Sequence, residues 1–237
     1  MTKVKGKLFL IPLPINEDGL ASISPEVIEV IHSLDHFIVE RVRTARRFVS
    51  GVKHPQKIDD LIFEEIPEEK LSDREVEKQM DILMQEKNIG LMSEAGMPAI
   101  ADPGNQYVRA AQNRNMQVVP LAGPSSIMMA LMGSGLEGQR FTFHGYLSAK
   151  KNELPAQLRF LDQRADMDDA TQIWIEAPYR NNQILEAIER NIAPHRSFCI
   201  AAGLGSADGF VKTKQVSEWK REGWPEIHKV PAVFLLR

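Results

Sequence analysis

Thiol chemistry is almost absent from this chain. Cys199 is its one cysteine, which excludes an internal disulfide and any site built from several cysteines. Its neighbours Phe198 and Ile200 are apolar, so a buried, inert thiol is expected rather than a nucleophile. No apolar run is long enough to span a bilayer, and residues 1–7 lead into a short apolar segment without a secretory cleavage pattern. A cytoplasmic protein with no membrane partner is the expectation. Strong net charge is missing as well: 29 basic against 32 acidic residues leave a formal charge of -3. Contact with nucleic acid would therefore need a local basic patch. The histidines at 32, 36, 54, 195 and 228 are scattered without ligand spacing, and no metal is assigned. No repeat or low-complexity tract is visible.

What is present is a long enough chain, 237 residues with 43% hydrophobic content, for one large core or two small ones. Short apolar runs alternate with amphipathic stretches. Leu8-Phe9-Leu10-Ile11, Phe37-Ile38-Val39, Ile89-Gly90-Leu91-Met92 and Gln117-Val118-Val119 read as buried strands. Ser24-Pro25-Glu26 opens a helix carrying Val27, Ile28, Ile31 and Leu34, and Ser72-Asp73-Arg74-Glu75 has capping-box spacing before Val76, Met80 and Leu83. The pattern is α/β with a mostly parallel sheet. Pro120-Leu121-Ala122-Gly123-Pro124 interrupts it, which places a domain boundary between 119 and 120. Beyond a helical stretch from Ser125 to Leu131, strand-like runs start at Phe141, Gln172, Phe198 and Ala232, with a hairpin candidate at Asp208-Gly209. The second unit, 120–237, is thus expected to be mixed, with its last strand inserted in a sheet.

The segment with most chemistry is 93–104, Ser93-Glu94-Ala95-Gly96-Met97-Pro98-Ala99-Ile100-Ala101-Asp102-Pro103-Gly104. It follows an apolar run and concentrates small residues, prolines and acids. Glycine lets backbone approach a ligand, proline pre-sets turns, and acids hold hydroxyls or amines at the carboxyl end of a parallel strand. An ordinary tight connection would use the same residues.

Several separated motifs decide between these readings. The opening Gly6-Lys7-Leu8-Phe9-Leu10-Ile11-Pro12-Leu13-Pro14-Ile15, the 93–104 loop, Val118 through Ser126, and Phe143-His144-Gly145-Tyr146-Leu147-Ser148-Ala149-Lys150 resemble the tetrapyrrole methylase family. Within it they are most similar to the small-subunit ribosomal RNA cytidine 2'-O-methyltransferase branch, whose SDAGxPxxxDPG signature the loop matches at nearly every fixed position. The resemblance implies two α/β domains, a homodimer, and S-adenosylmethionine in a cleft between the domains. It implies cofactor contacts for Ser93, Glu94, Ala95, Gly96, Pro98, Asp102, Pro124, Ser125 and Ser126, and substrate contacts for Pro12, Pro14, Arg41 and Arg43. RNA is the partner it implies.

A ribose acceptor would need a base, for which Glu40, Asp102 and His144 are candidates by residue type. His144, among Phe141 and Phe143, reads equally well as a structural histidine. Arg41, Arg43, Arg46 and Arg47 with Lys150 and Lys151 would suit a phosphate face, although such runs are more often solvated helix surface. Glu176, in Trp174-Ile175-Glu176-Ala177-Pro178-Tyr179-Arg180, would cap a strand end or sit on a rim. The chain departs from the branch at Glu94, at Asn16-Glu17-Asp18, and at Ala202-Gly203-Leu204-Gly205-Ser206, where the branch has Arg-Glu-Leu-Thr-Lys. Three readings stay open: a methyltransferase acting on RNA, one acting on a tetrapyrrole or other small molecule, and a cofactor-binding module without catalysis.

Overall fold

The computed structural model describes residues 6–67, 69, 71–81, 87–150 and 152–237. Leu83, Lys151 and residues 1–5 lie outside the described residues. The chain folds as two compact units, Met1–Ser125 and Ser126–Arg237.

In the first unit, β1 (Lys7–Leu10), β2 (His36–Val39), β3 (Ile62–Glu65), β4 (Ile89–Met92) and β5 (Gln117–Pro120) form one sheet in the order β3-β2-β4-β1-β5. Every pairing in it is parallel. Helices α1 (Pro25–His32) and α2 (Val42–Gly51) cover one face, where Phe37, Val39 and Ile31 share a core; α3 (Asp73–Met80) and α4 (Asn105–Asn113) cover the other, where Ile38, Leu91 and Tyr107 pack. Alternate residues of β2 thus enter opposite cores, as period-two side chains must in a sheet clad on both sides. Ser24 Oγ accepts from Val27 N–H, and Ser72 and Glu75 cap each other reciprocally. Gly90 lies in β4 because a Cβ there would come within 2.6 Å of Ile11 and 2.8 Å of Phe37.

The bend 120–124 belongs with this unit, so the division falls several residues beyond the expected 119/120. Its attachment explains why. Leu121 N–H donates to Leu10 carbonyl, and Gly123 lies so flat on Pro12 that a Cβ would meet the ring at 2.2 Å.

The second unit is mixed, in the order β6-β7-β10-β8-β9. Its strands are β6 (Phe141–Tyr146), β7 (Thr171–Ile175), β8 (Ser197–Ala202), β9 (Phe210–Gln215) and β10 (Ala232–Leu236). Only β6 and β7 pair in parallel; β10 runs antiparallel to both β7 and β8 and is buried throughout. Helix α5 (Ser126–Ser134) packs on one face, and α6 (Leu154–Met167), α7 (Asn181–Asn191) and α8 (Val216–Glu222) on the other. Cys199 is fully buried beneath α5, and burial pushes its thiol up to about 11. It is inert, as its flanks suggest. Among the described residues no helix is long and apolar enough to cross a membrane.

Candidate functional site

An all-parallel sheet presents its ligand-binding loops at the carboxyl ends of its strands, and in the first unit three such loops converge. The loop after β1 and the loop after β4 are joined by a two-residue antiparallel bridge: Leu13 N–H donates to Gly96 carbonyl at 2.9 Å, and Gly96 N–H to Leu13 carbonyl at 3.0 Å. The end of β2 is tied in by Glu40, whose Oε2 accepts from Glu94 N–H at 2.9 Å. None of these contacts is local in sequence.

The 93–104 bend holds an unusual backbone. Gly96 has φ +70, and two alanines, Ala99 and Ala101, also sit in the left-handed region at φ 66 and 61. Each such alanine costs about 1–2 kcal/mol relative to the right-handed region, so something must hold it there. Asp102 does so: its Oδ1 accepts from Ala99 N–H at 2.9 Å and Gly104 N–H at 2.8 Å. Buried Ser93 donates to Ala95 carbonyl at 3.1 Å. Gly96 and Pro98 are buried, whereas Glu94 and Ala95 are exposed. Pro124 carbonyl approaches Gly96 from the chain bend.

Three carboxylates share this corner. Burial pushes the Glu40 carboxyl above the ordinary glutamate range, the Glu94 N–H bond opposes this, and the negative charges of Asp102 and Glu94 add to the rise. Asp102 is raised by burial too, against its backbone hydrogen bonds. The Arg41 guanidinium offsets the Glu40 rise only slightly. A net-negative corner with exposed backbone suits a cationic ligand bearing hydroxyls.

Beside the corner lies a cavity of about 570 Å³ in the first unit. Leu13, Ile15, Leu20 and Phe48 form its apolar lining, and Glu17, Asp18, Arg47 and Glu94 its charged one. Pro14 lines it as well. Pro12 does not: it is buried under Gly123, where the absence of a side chain lets the bend close over its ring. In this unit Pro12 packs the bend against β1's loop.

Arg41 ends β2's connection and lies 3.7 Å from Glu65, which also accepts from Val42 N–H at 2.8 Å and so caps α2. Arg43 is exposed on the first turn of α2. Arg46 is held by Asp59, over the Phe63 ring.

His144 belongs to the second unit, on β6. Its Nε2 lies 2.7 Å from Gln172 Oε1, while Gln172 Nε2 donates to Ala170 carbonyl. That amide orientation makes His144 the donor, a satisfied structural arrangement. Ser126 opens α5 in the same unit. Glu176 is buried rather than on a rim: Oε1 accepts from Ala177 N–H at 2.9 Å and faces Arg180 at 3.1 Å, and Arg180 donates to Ser148 carbonyl. The glycine-rich 202–206 segment is a compact turn in the β8–β9 hairpin, with Gly203 and Gly205 at φ 59 and 81.

Sequence reasoning did not single out Asn16, Glu17, Arg47 and Phe48 as a cavity lining. The i, i+3 and i+4 spacing of Thr44, Arg47, Phe48 and Gly51 on α2 would have shown a common face, but not what it faces.

Comparison with known proteins bears on this geometry. A sequence model of the Tetrapyrrole (Corrin/Porphyrin) Methylases matches residues 7–219. The ribosomal RNA small subunit methyltransferase I of Bacillus subtilis (strain 168) is 32% identical over 183 residues, covering 77% of this chain and 59% of that protein. The protein of the same name from Escherichia coli O157:H7 is 27% identical over 232 residues, covering 98% and 71%. The chain thus spans about three-fifths of the length of the first of these relatives. Two solved structures share the fold: the methyltransferase CobJ, with TM-score 0.64 at 15% identity over 98% of this chain and 93% of that one, and uroporphyrin III C-methyl transferase from Thermus thermophilus, with TM-score 0.56 at 14% identity over 98% and 97%.

Proposed function

Because this chain belongs to the tetrapyrrole methylase family, we propose that it is an S-adenosylmethionine-dependent methyltransferase acting on a ribose 2'-hydroxyl of small-subunit ribosomal RNA. The observation that carries this reading is the corner where Glu40, Glu94 and Asp102 surround the left-handed 93–104 bend. The acceptor class follows the relatives, which are ribosomal RNA small subunit methyltransferases by name. The working form is a cytoplasmic homodimer.

The donor set fits the cofactor. Exposed Glu94 and the exposed backbone of Ala95 would hold its ammonium and ribose groups, with Gly96 keeping the floor beneath them close and Pro124 and Ser125 as a further wall. When bound, the sulfonium supplies an electrophilic methyl group and its positive charge. Ser93, Pro98 and Asp102 act one step back, keeping the bend in shape. Placing the nucleophile in line is worth several kcal/mol of barrier, on the order of 7–11 at the upper end.

A ribose hydroxyl is a weak nucleophile, and its proton must leave as the oxygen acquires the methyl. Glu40 is the base this structure favours. It is half-buried, its proton affinity is raised, and only Oε2 is engaged by Glu94 N–H. Asp102 is occupied as the staple of the bend, and His144 by Gln172. The tetrapyrrole reading is weaker here, because a macrocycle would bring its carboxylates against Glu17, Asp18 and Glu94, whereas a nucleotide can enter by its neutral base and leave its phosphates outside.

Calorimetric titration with S-adenosylmethionine and its demethylated product tests the cofactor. Radiolabelled methyl donor offered with small-subunit ribosomal RNA, and separately with a porphyrin precursor, tests the acceptor. Label in RNA, resistant to alkali at the modified position, is the expected result. Absence of binding by either cofactor form overturns the assignment.

A further inference from the structure

Two residues lining the cavity in the first unit form a solvent-exposed ion pair with each other. Arg47 Nη2 lies 2.9 Å from Glu17 Oε1; Arg47 is on α2, Glu17 on the loop after β1, and both line the cavity. Their side chains are 63% and 78% exposed. Pairs so open to water contribute little to stability and exchange partners readily.

The loop that carries Glu17 leaves polar groups unmet. Both amide atoms of Asn16, Oδ1 and Nδ2, are buried without a hydrogen-bond partner. A Cβ on Gly19 would stand 2.7 Å from that Oδ1, so the loop is folded tightly over the amide. Unmet buried amide groups oppose the closed arrangement, and an opened loop would return them to water.

Charge limits what the cavity admits. Glu17, Asp18 and Glu94 line it against one cation, Arg47, already paired. An anionic group is repelled from the interior, whereas a neutral heterocycle finds apolar walls in Leu13, Ile15, Leu20 and Phe48. Anion affinity lies outside, on α2: Arg43, one turn before Arg47, is exposed and makes no ion pair among the described residues.

From this we infer that Glu17–Arg47 is a latch: a single-stranded RNA places an unstacked base in the cavity while Arg47 releases Glu17 and takes the flanking phosphodiester. The inference rests on the RNA reading above and assigns the entry of that substrate to particular residues. No covalent bond is made or broken: one salt bridge is exchanged for another, and the base, already single-stranded, is unstacked at low cost.

The test is fluorescence-anisotropy titration of the full chain with a labelled 12-nucleotide single-stranded RNA of mixed sequence and, as competitor, inorganic polyphosphate of matched charge. Glu17→Gln frees Arg47 and is expected to tighten RNA binding about threefold or more. Arg47→Gln is expected to weaken it about tenfold. The swapped pair Glu17→Arg with Arg47→Glu rebuilds a bridge and regains hydrogen-exchange protection over 15–20, yet should stay as weak as Arg47→Gln. RNA should outcompete polyphosphate at least tenfold. The latch is overturned if Glu17→Gln weakens or does not change RNA binding, if the swapped pair restores affinity, or if polyphosphate binds as well as RNA. S-adenosylmethionine titrated into the unaltered chain separates the two failures: no binding there removes the methyltransferase reading, whereas binding with unresponsive latch variants removes only the latch.

Discussion

Two glycine-rich bends of similar composition, 93–104 after β4 and 202–209 after β8, have opposite physical character. In the second, glycines occupy the difficult places: Gly203 and Gly205 have positive φ, and Gly209 lies where a Cβ would be 2.1 Å from Gly203 carbonyl. Ser206 N–H and Oγ both donate to that carbonyl, and Gly209 N–H to Ser206 carbonyl. It is a relaxed turn. In the first, alanines take left-handed conformations while an adjoining carboxylate is kept in a setting that raises its proton affinity. Glycine content marks both as bends; strain in residues with side chains, together with displaced carboxylate titration, marks one as the place for chemistry.

The sharpest way to break this contrast is Asp102→Ala, which strips Ala99 and Gly104 N–H groups of their acceptor. It is expected to destabilise the protein by about 2 kcal/mol or more and to abolish measurable S-adenosylmethionine binding, whereas Asp102→Asn, which keeps an acceptor, should retain most of both. Urea denaturation and calorimetry read the two effects. Equal behaviour of both variants would mean that the carboxylate does not staple the bend.

Gly209→Ala should act on stability alone. Overpacking against backbone is expected to cost about 1–3 kcal/mol with the cofactor dissociation constant unchanged, and a shift in that constant would erase the distinction between the bends.

The pH dependence of the corner follows in sign from Glu40. Its carboxyl is raised in the folded chain, so its contribution to stability is present below the ordinary glutamate range, about 4.3, and is lost as pH rises through the higher folded value. Glu40→Gln should therefore gain stability relative to the natural chain at pH 7 and none at pH 4. Unfolding midpoints at those two pH values check this. Methyl transfer by the natural chain should fall on acidification at a pH above the ordinary glutamate range, a limb that Glu40→Gln lacks.

The smallest expected effect is relief of strain. Ala99→Gly and Ala101→Gly each exchange a left-handed alanine for a permissive residue, at an entropic cost in the unfolded chain, so a net change within about 1 kcal/mol is expected. Ligand affinity, measured on the same variants, should drop if the alanines preorganise the bend.

Much of the architecture was readable before any coordinates. Strands β1, β2, β4 and β5 announced themselves as apolar runs, and the terminal run Ala232 to Leu236 is indeed an interior strand. β3 escaped notice because its apolar run is only Ile62-Phe63 before Glu64 and Glu65, too short to set a strand period. α4 escaped because no side-chain cap precedes it; it starts directly from Gly104 at the end of the functional bend. For the candidate site, 93–104 stood out by composition. The partnership of Glu40 with Glu94, 54 residues apart, could not, and neither could the burial of Pro12 beneath Gly123.

Turns, caps and strand runs act through neighbours a few positions apart, so the order of residues was enough to establish an α/β chain with a ligand-type bend after the strand ending at Met92. Which side chains meet at that bend is a matter of the parallel sheet, whose strand order brings β2 and β1 to either side of β4. Only that arrangement joins three distant loops, crowds carboxylates out of water until their proton affinities rise, and leaves a cavity under Glu17 and Arg47. Coulombic and packing forces depend on distance in space, and distance in space is what folding supplies.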